Sequence, residues 1–366
     1  MLETCSELPG SNLLERSPHP DSRSVIAIST HRTARMSDVA KLARVSTMTV
    51  SRVLNDSASV TEETRLRVLD AVEQLQYQRN EIARSLREQT SRQIGILIPN
   101  LYDPFFATCA HAISVVVKAH AYSMVLSTTD EDPRTEYEQA NSMLRRGVDG
   151  LVVIPTSSVK GIPSLRDPEF QDLPIVAIDR PVEGSQYDRV LVQNKIGAQL
   201  GVDHLIDLGH QRIAFFGLAG PLYTMRMRQQ GYRDAMTTAG LRPDIILVSD
   251  VLRDAQTALR DALASRNPPT AIFAANNLIS RHLLHSLQAL GLYPPHPIAM
   301  VGFDDFESAD LFRPGITVVR QPVESMGRLA GELLFARLAK GGSDTPTKKI
   351  MLSVELIIRG SCGAPI

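Results

Sequence analysis

A chain of 366 residues is too long for one typical small domain, and its length sets an expectation of two or three. Its 43% hydrophobic and 22% charged residues are ordinary globular composition, and no run approaches the roughly 18–20 apolar residues of a membrane helix. Three cysteines, Cys5, Cys109 and Cys362, are odd in number and far apart, which excludes a disulfide framework and a CxxC zinc site and fits a reducing, cytoplasmic compartment. The net charge of −1 conceals an asymmetry: residues 31–92 hold eleven Lys or Arg against eight Asp or Glu, while acids outnumber bases on both sides. Positive charge confined to one short segment fits a polyanion partner or a solvated helical face.

Residues 1–35 have scattered Ser, Pro and His without periodicity. Glu3, Glu7 and Glu15 stand where a secretory signal would carry a basic head, so the stretch reads as a disordered extension. From Ser37 to about Leu86 apolar residues recur at helical spacing in three stripes: Val39, Ala40, Leu42 and Ala43; Val45, Val50, Val53 and Leu54; Leu66, Val68, Leu69, Val72 and Leu75. They predict three short helices around one small core. Thr61 and Thr64, with Glu62 and Glu63 in the first turn, open the third helix with a cap and favourable dipole charge.

From Arg92 onward buried-strand runs at 93–98, 122–127, 150–154, 175–178, 190–192, 212–216, 246–248, 271–274 and 298–301 alternate with helical stretches. The helices are expected at 105–119, 134–146, 195–208, 226–239, 254–264, 277–290 and 322–339. Continuous apolar strands separated by helices predict parallel sheets covered on both faces, and nine or more of them fit two doubly wound lobes better than one sheet. Ligands of such folds bind outside the carboxyl ends of the strands, so the loops after each strand are where a site is sought.

Asp38 to Ala43, Val45-Ser46 and Thr49 to Asn55 describe two short helices joined by a tight turn, a helix-turn-helix pattern. A recognition helix must bury Val50, Val53 and Leu54 against the first helix while Thr47, Met48 and Arg52 project outward, and Ser46 can cap it. The run DVAKLARVSTMTVSRVLN, then VTEETR, then Tyr77 to Leu86 resembles the headpiece and hinge of the LacI/GalR family of bacterial repressors, and the likeness continues through nearly all of residues 36–360. The resemblance implies an all-α headpiece followed by two doubly wound α/β lobes of periplasmic-binding-protein type. It places a helix-turn-helix domain at 36–80, a hinge helix and linker at 81–92, and an effector-binding and dimerisation domain at 93–360. The N-lobe would take 93–192 and 322–348, the C-lobe 193–321 and 349–360, and 361–366 a tail.

By position, the resemblance makes Thr47, Met48 and Arg52 base-reading residues, with Arg52 suited to guanine and Met48 to apolar contact. It makes Ser46, Thr49, Asn55, Thr61 and Thr64 backbone contacts, and puts Asn80, Ala83 and Leu86 on a hinge helix whose leucine wedges between base pairs. The chain departs from the family at Arg79, where proline is usual, at Arg35, where a Thr cap is usual, and at Arg44, commonly a glycine. In the sensor the resemblance nominates Phe105 and Phe106 after the first strand, Asp179 and Arg180 after the fourth, then Arg228, Asn276, Asp304 and Gln321. Carboxylates accepting from hydroxyls, arginine and amides donating, and an aromatic face form a coherent polyol site. Asn277 stands where the family often has Asp, and Gln193-Asn194 where it often has Asp-Asn.

No GxGxxG after a strand, GxxxxGK[ST], GxSxG or HExxH occurs, so no catalytic residue and no cofactor is expected. His204 and His210 lack a third partner, so no metal site is expected. The expected partners are double-stranded operator DNA, a small sugar or sugar-derived effector and a second copy in a homodimer, with no membrane. The alternative is a solute-binding or enzymatic domain without DNA reading.

Overall fold

In the computed structural model, which describes residues 34–54, 59–77, 90–157, 159–339 and 346–364, the chain separates into two units between Asn80 and Glu81. The first holds α1 (Met36–Leu42), α2 (Thr47–Leu54) and α3 (Glu62–Gln74) around Val39, Ala40, Ala43, Val50, Val53, Val68 and Ala71. Leu42, Leu66 and Leu69, expected in the apolar stripes, are instead 46%, 59% and 45% exposed. At about 100° per residue, Leu66 and Leu69 fall away from the face that carries Val68, Ala71 and Val72. The turn between α1 and α2 places Arg44 at φ 53°, the left-handed region in which glycine is at ease. Arg35 occupies the N-cap of α1, where the Asp38 carboxylate accepts from its backbone N–H at 2.9 Å. The expected extension as far as residue 33, Arg79, and the expected hinge helix as far as residue 89 lie outside the described residues.

The second unit is built from alternating strands and helices: β1 (Gln93–Ile98), α4 (Pro104–Ala119), β2 (Ser123–Thr128), α5 (Pro133–Arg145), β3 (Gly150–Val153), β4 (Ile175–Ile178) and β5 (Asp188–Val192). There follow α6 (Asn194–Asp207), β6 (Ile213–Leu218), α7 (Tyr223–Thr238), β7 (Asp244–Val248), α8 (Leu252–Ala264), β8 (Ala271–Ala274), α9 (Asn277–Ala289), β9 (Ala299–Phe303) and β10 (Thr317–Arg320). Last come α10 (Val323–Leu338), β11 (Lys349–Leu352) and β12 (Glu355–Ile357). One sheet runs β11-β5-β4-β3-β1-β2, parallel throughout, and the other β12-β10-β9-β8-β6-β7, with β12 alone antiparallel. Each sheet is apolar on both faces, covered by helices, so its strands read as continuous hydrophobic runs.

The chain passes between lobes at Gln193, at Gln321-Pro322 and at Ser353-Val354. Residues 349–352, expected in the C-lobe, pair with β5 and belong to the N-lobe sheet. β10, β11 and β12 were not among the expected strands. The last two lie at sheet edges, where Lys349, Met351 and Glu355 face solvent and no continuous apolar run is needed. The expected tail is also anchored: Ser361 and Cys362 are buried, and the Ser361 hydroxyl donates to the Met300 carbonyl at 2.7 Å and accepts from the Thr317 N–H at 2.8 Å.

The start of the second unit is fixed by one carboxylate. Asp149, just before β3, accepts from the Thr90 hydroxyl at 2.5 Å and from the backbone N–H groups of Ser91 and Arg92 at 3.0 and 2.8 Å.

Candidate functional site

The helix-turn-helix unit presents α2 by burying Val50 and Val53 and leaving Thr47, Met48 and Arg52 exposed, Met48 by 63%. Ser46 caps α2: its Oγ accepts from the Thr49 N–H at 3.1 Å and lies 2.9 Å from the Thr49 hydroxyl. Thr61 holds the N-cap position of α3, but its hydroxyl donates to Thr64 Oγ1 at 3.0 Å in place of capping a backbone N–H. Asn55, Asn80, Ala83 and Leu86 lie outside the described residues.

In the second unit the carboxyl ends of β1, β4, β6, β8, β9 and β10 converge on a cleft of about 130 Å³ between the lobes. All eight nominated sensor residues, Phe105, Phe106, Asp179, Arg180, Arg228, Asn276, Asp304 and Gln321, line it. Asp103-Pro104 starts α4: the Asp103 side chain caps the helix, with Pro104 at its first position, and brings the edge-to-face pair Phe105 and Phe106 into the wall. Phe105, Asp304 and Gln321 also border a neighbouring recess of about 300 Å³, where Asp305 is taken up by Arg320 and Arg359.

Asp179 and Asp304 occupy equivalent places in the two lobes. Each follows the strand third from the crossing edge of its sheet, each has a left-handed backbone, at φ 68° and 72°, and each donates its N–H to the next strand, to Val190 and Val319. Burial pushes both carboxyls above the usual range, opposed by Arg180 and Arg228 at Asp179 and chiefly by Arg228 at Asp304. Strained backbone at two buried, facing acids is a common mark of a functional site.

Arg228 is 2% exposed and joins the C-lobe loops: its Nη1 donates to the Ala275 carbonyl at 2.7 Å and to Asp304 at 3.2 Å, and its Nε to Asn194 at 2.8 Å, while its guanidinium lies 3.7 Å from the Phe303 ring centre. Arg226 instead reaches Glu183 at the surface, at 3.1 Å. Arg180 is held by Glu131 in two 2.8 Å bonds. Asn276 accepts from the Ile279 N–H at 2.9 Å as the cap of α9, and Gln321 donates to Asp304.

The nominated set omits Asp103, Glu131, Asn194, Asn277 and Arg281. Asn277 is 2% exposed and donates across the cleft to Asp103 at 2.8 Å. Asn277 Oδ1, Gln321 Oε1 and Arg281 Nε are buried without a partner, the condition of atoms that a ligand would satisfy. The Asp-Pro step after β1 marks Asp103 as a cap, and Asn277 and Arg281 stand one helical turn apart, but no local pattern ties Glu131 to Arg180. The arrangement can accept from hydroxyls through carboxylates and donate through amides and guanidinium groups. Among the described residues no group of three or more His, Cys, Asp or Glu could hold a metal ion, and no helix is long and apolar enough to cross a membrane. His204 Nε2 lies 3.2 Å from Cys362 Sγ, and His210 Nδ1 3.0 Å from Thr270 Oγ1.

Residues 202–362 match a periplasmic binding protein-like domain, and residues 35–80 match the description "Bacterial regulatory proteins, lacI family". The chain is 32% identical over 319 residues to the ribose operon repressor of Halalkalibacterium halodurans, covering 86% of this chain and 95% of that protein. It is 31% identical over 333 residues to the HTH-type transcriptional repressor PurR of Aliivibrio fischeri, covering 90% and 98%. The crystal structure of the lac repressor dimer bound to operator and the anti-inducer ONPF matches with a TM-score of 0.79 at 25% identity, over 91% of this chain and 100% of that one. With headpiece and sensor matched in order, and relatives matched over nearly their whole length, the chain belongs to the lacI family of bacterial regulatory proteins.

Proposed function

We propose that the protein is a sequence-specific DNA-binding repressor of a carbohydrate-utilisation operon, acting in the cytoplasm, whose operator affinity is set by a sugar or sugar-derived effector held between the lobes. The observation that carries this reading is the presence in one chain of an exposed recognition helix and a buried polar cleft with unsatisfied acceptors on Asn277 and Gln321. Relatives that repress transcription, one of them of a ribose operon, support it. In this reading Thr47, Met48 and Arg52 contact base edges, while Ser46, Thr49, Thr61 and Thr64 fix register on phosphates. A homodimer brings two headpieces to a near-palindromic operator. Asp179, Arg228, Asn276, Asp304 and Gln321 hold the effector, with Phe105 and Phe106 against its apolar side. Binding without turnover suffices for such a sensor, and its coupling to the operator is expected at roughly 1–3 kcal/mol.

Selection of preferred duplexes from a random library by the full-length protein, at fixed salt, tests the reading. A near-palindrome whose affinity shifts with one member of a sugar panel is the expected result. Sequence-blind binding that vanishes as salt rises would turn the reading toward a stand-alone ligand-binding domain.

A further inference from the structure

Resting on the reading of the cleft as a sugar-derived effector site, we propose that the effector carries an oxyanion, a carboxylate or a phosphate, which docks on Arg281. Three arginines line the cleft. Two are answered by carboxylates of the chain itself: Arg180 by Glu131 and Asp179, Arg228 by Asp304. Arg281 is the third, and among the described residues no hydrogen bond or ion pair reaches it, while its Nε is buried with no acceptor. A guanidinium partly withdrawn from water without a counter-charge is costly, and its planar fork matches carboxylate and phosphate.

Arg281 stands one turn beyond Asn277 on the same face of α9. The Asn277 Nδ2 is occupied by Asp103, which leaves its Oδ1 bare, one helical turn before the residue that carries the bare guanidinium N–H. An orphaned acceptor next to an orphaned cationic donor describes a ligand with a hydroxyl next to an oxyanion. The rest of the cleft, with carboxylates at Asp179 and Asp304, receives further hydroxyls. Asp250 borders the same cavity, is exposed, and makes no ion pair with Arg281 among the described residues. The rival account is that Asp250 closes onto Arg281 as a latch around a neutral ligand.

Titration calorimetry of the full chain with two matched sets separates these accounts: ribose, ribonate and ribose 5-phosphate, and glucose, glucuronate and glucose 6-phosphate. In at least one set the acid or the phosphate is expected to bind roughly 10- to 100-fold more tightly than its neutral parent, less so at high salt. Which of the two gains identifies the oxyanion. Arg281→Met should erase that gain, and Arg281→Lys should restore part of it. Arg281 has no internal partner to lose, so an unchanged melting temperature for both variants checks that they fold. A neutral parent that binds as tightly as its acid and its phosphate overturns the proposal, as does a gain that survives Arg281→Met. Equal weakening of neutral and anionic ligands by Asp250→Asn assigns Arg281 to the latch and overturns it too. Silence of all six, neutral sugars included, would instead remove the sugar reading on which the proposal stands.

Discussion

Glu136 on α5 is 6% exposed, and its carboxylate accepts from the Thr156 N–H at 2.5 Å. Burial pushes its carboxyl from 4.5 up to about 7, against the pull of the Thr156 hydrogen bonds and Arg180. Between those values the folded protein keeps a proton that the unfolded chain releases, so stability falls as pH rises through that window. Glu136→Gln is expected to leave unfolding near pH 4.5 almost unchanged and to stabilise the protein by up to about 3 kcal/mol at pH 8. Denaturant melts at the two pH values check it, and equal effects at both would refute the cause. At Arg44 the strain is in the backbone. Arg44→Gly at φ 53° should stabilise the first unit by about 1 kcal/mol. An unchanged unfolding midpoint would mean that the turn relaxes around arginine.

The element scale separates what was legible in the sequence from what was not. Helices α4 to α10 could be read because each buries one face at helical spacing, and β1, β3 and β8 because both faces are covered. β11 and β12 escaped because a sheet edge asks for only half the apolar residues, and α3 was mis-faced because Leu66 and Leu69 are apolar without being buried. α2 was read from the spacing of Val50 and Val53, which fixes where Arg52 points. Arg52→Ala should cost about 1–3 kcal/mol of operator affinity, relax one base position and leave effector affinity unaltered, as footprint titrations and calorimetry would show. The segment that enters β1 hangs on Asp149. In Asp149→Ala the amide of Ser91 loses its acceptor and that of Arg92 keeps only the longer bond to the Thr90 hydroxyl at 3.3 Å, and hydrogen exchange there should accelerate while the cores keep their protection. Unchanged exchange at both amides would show that other contacts hold the segment.

At the scale of the whole molecule the strand-end rule for doubly wound folds showed where a site lies, and the family resemblance nominated the cleft residues there. The ion pair of Glu131 with Arg180 and the bond from Asn277 to Asp103 could not be read from the sequence, since which side chains meet across a cleft is decided by tertiary packing. Asp304 lies where strand, crossing residue and Arg228 meet. Asp304→Ala should abolish the effector response with operator binding intact, and full effector affinity in that variant, by calorimetry, would remove Asp304 from the site.

The matched pair Asp179 and Asp304 has a mechanical consequence. Closing the lobes on nothing brings like charges toward one another in a medium that screens them poorly, and each carboxyl's raised affinity for protons includes repulsion from a carboxylate of the other lobe. Drawing the lobes together therefore works against that repulsion, which Arg180 and Arg228 offset. Hydroxyls set between the carboxylates would relieve that repulsion by donating to both.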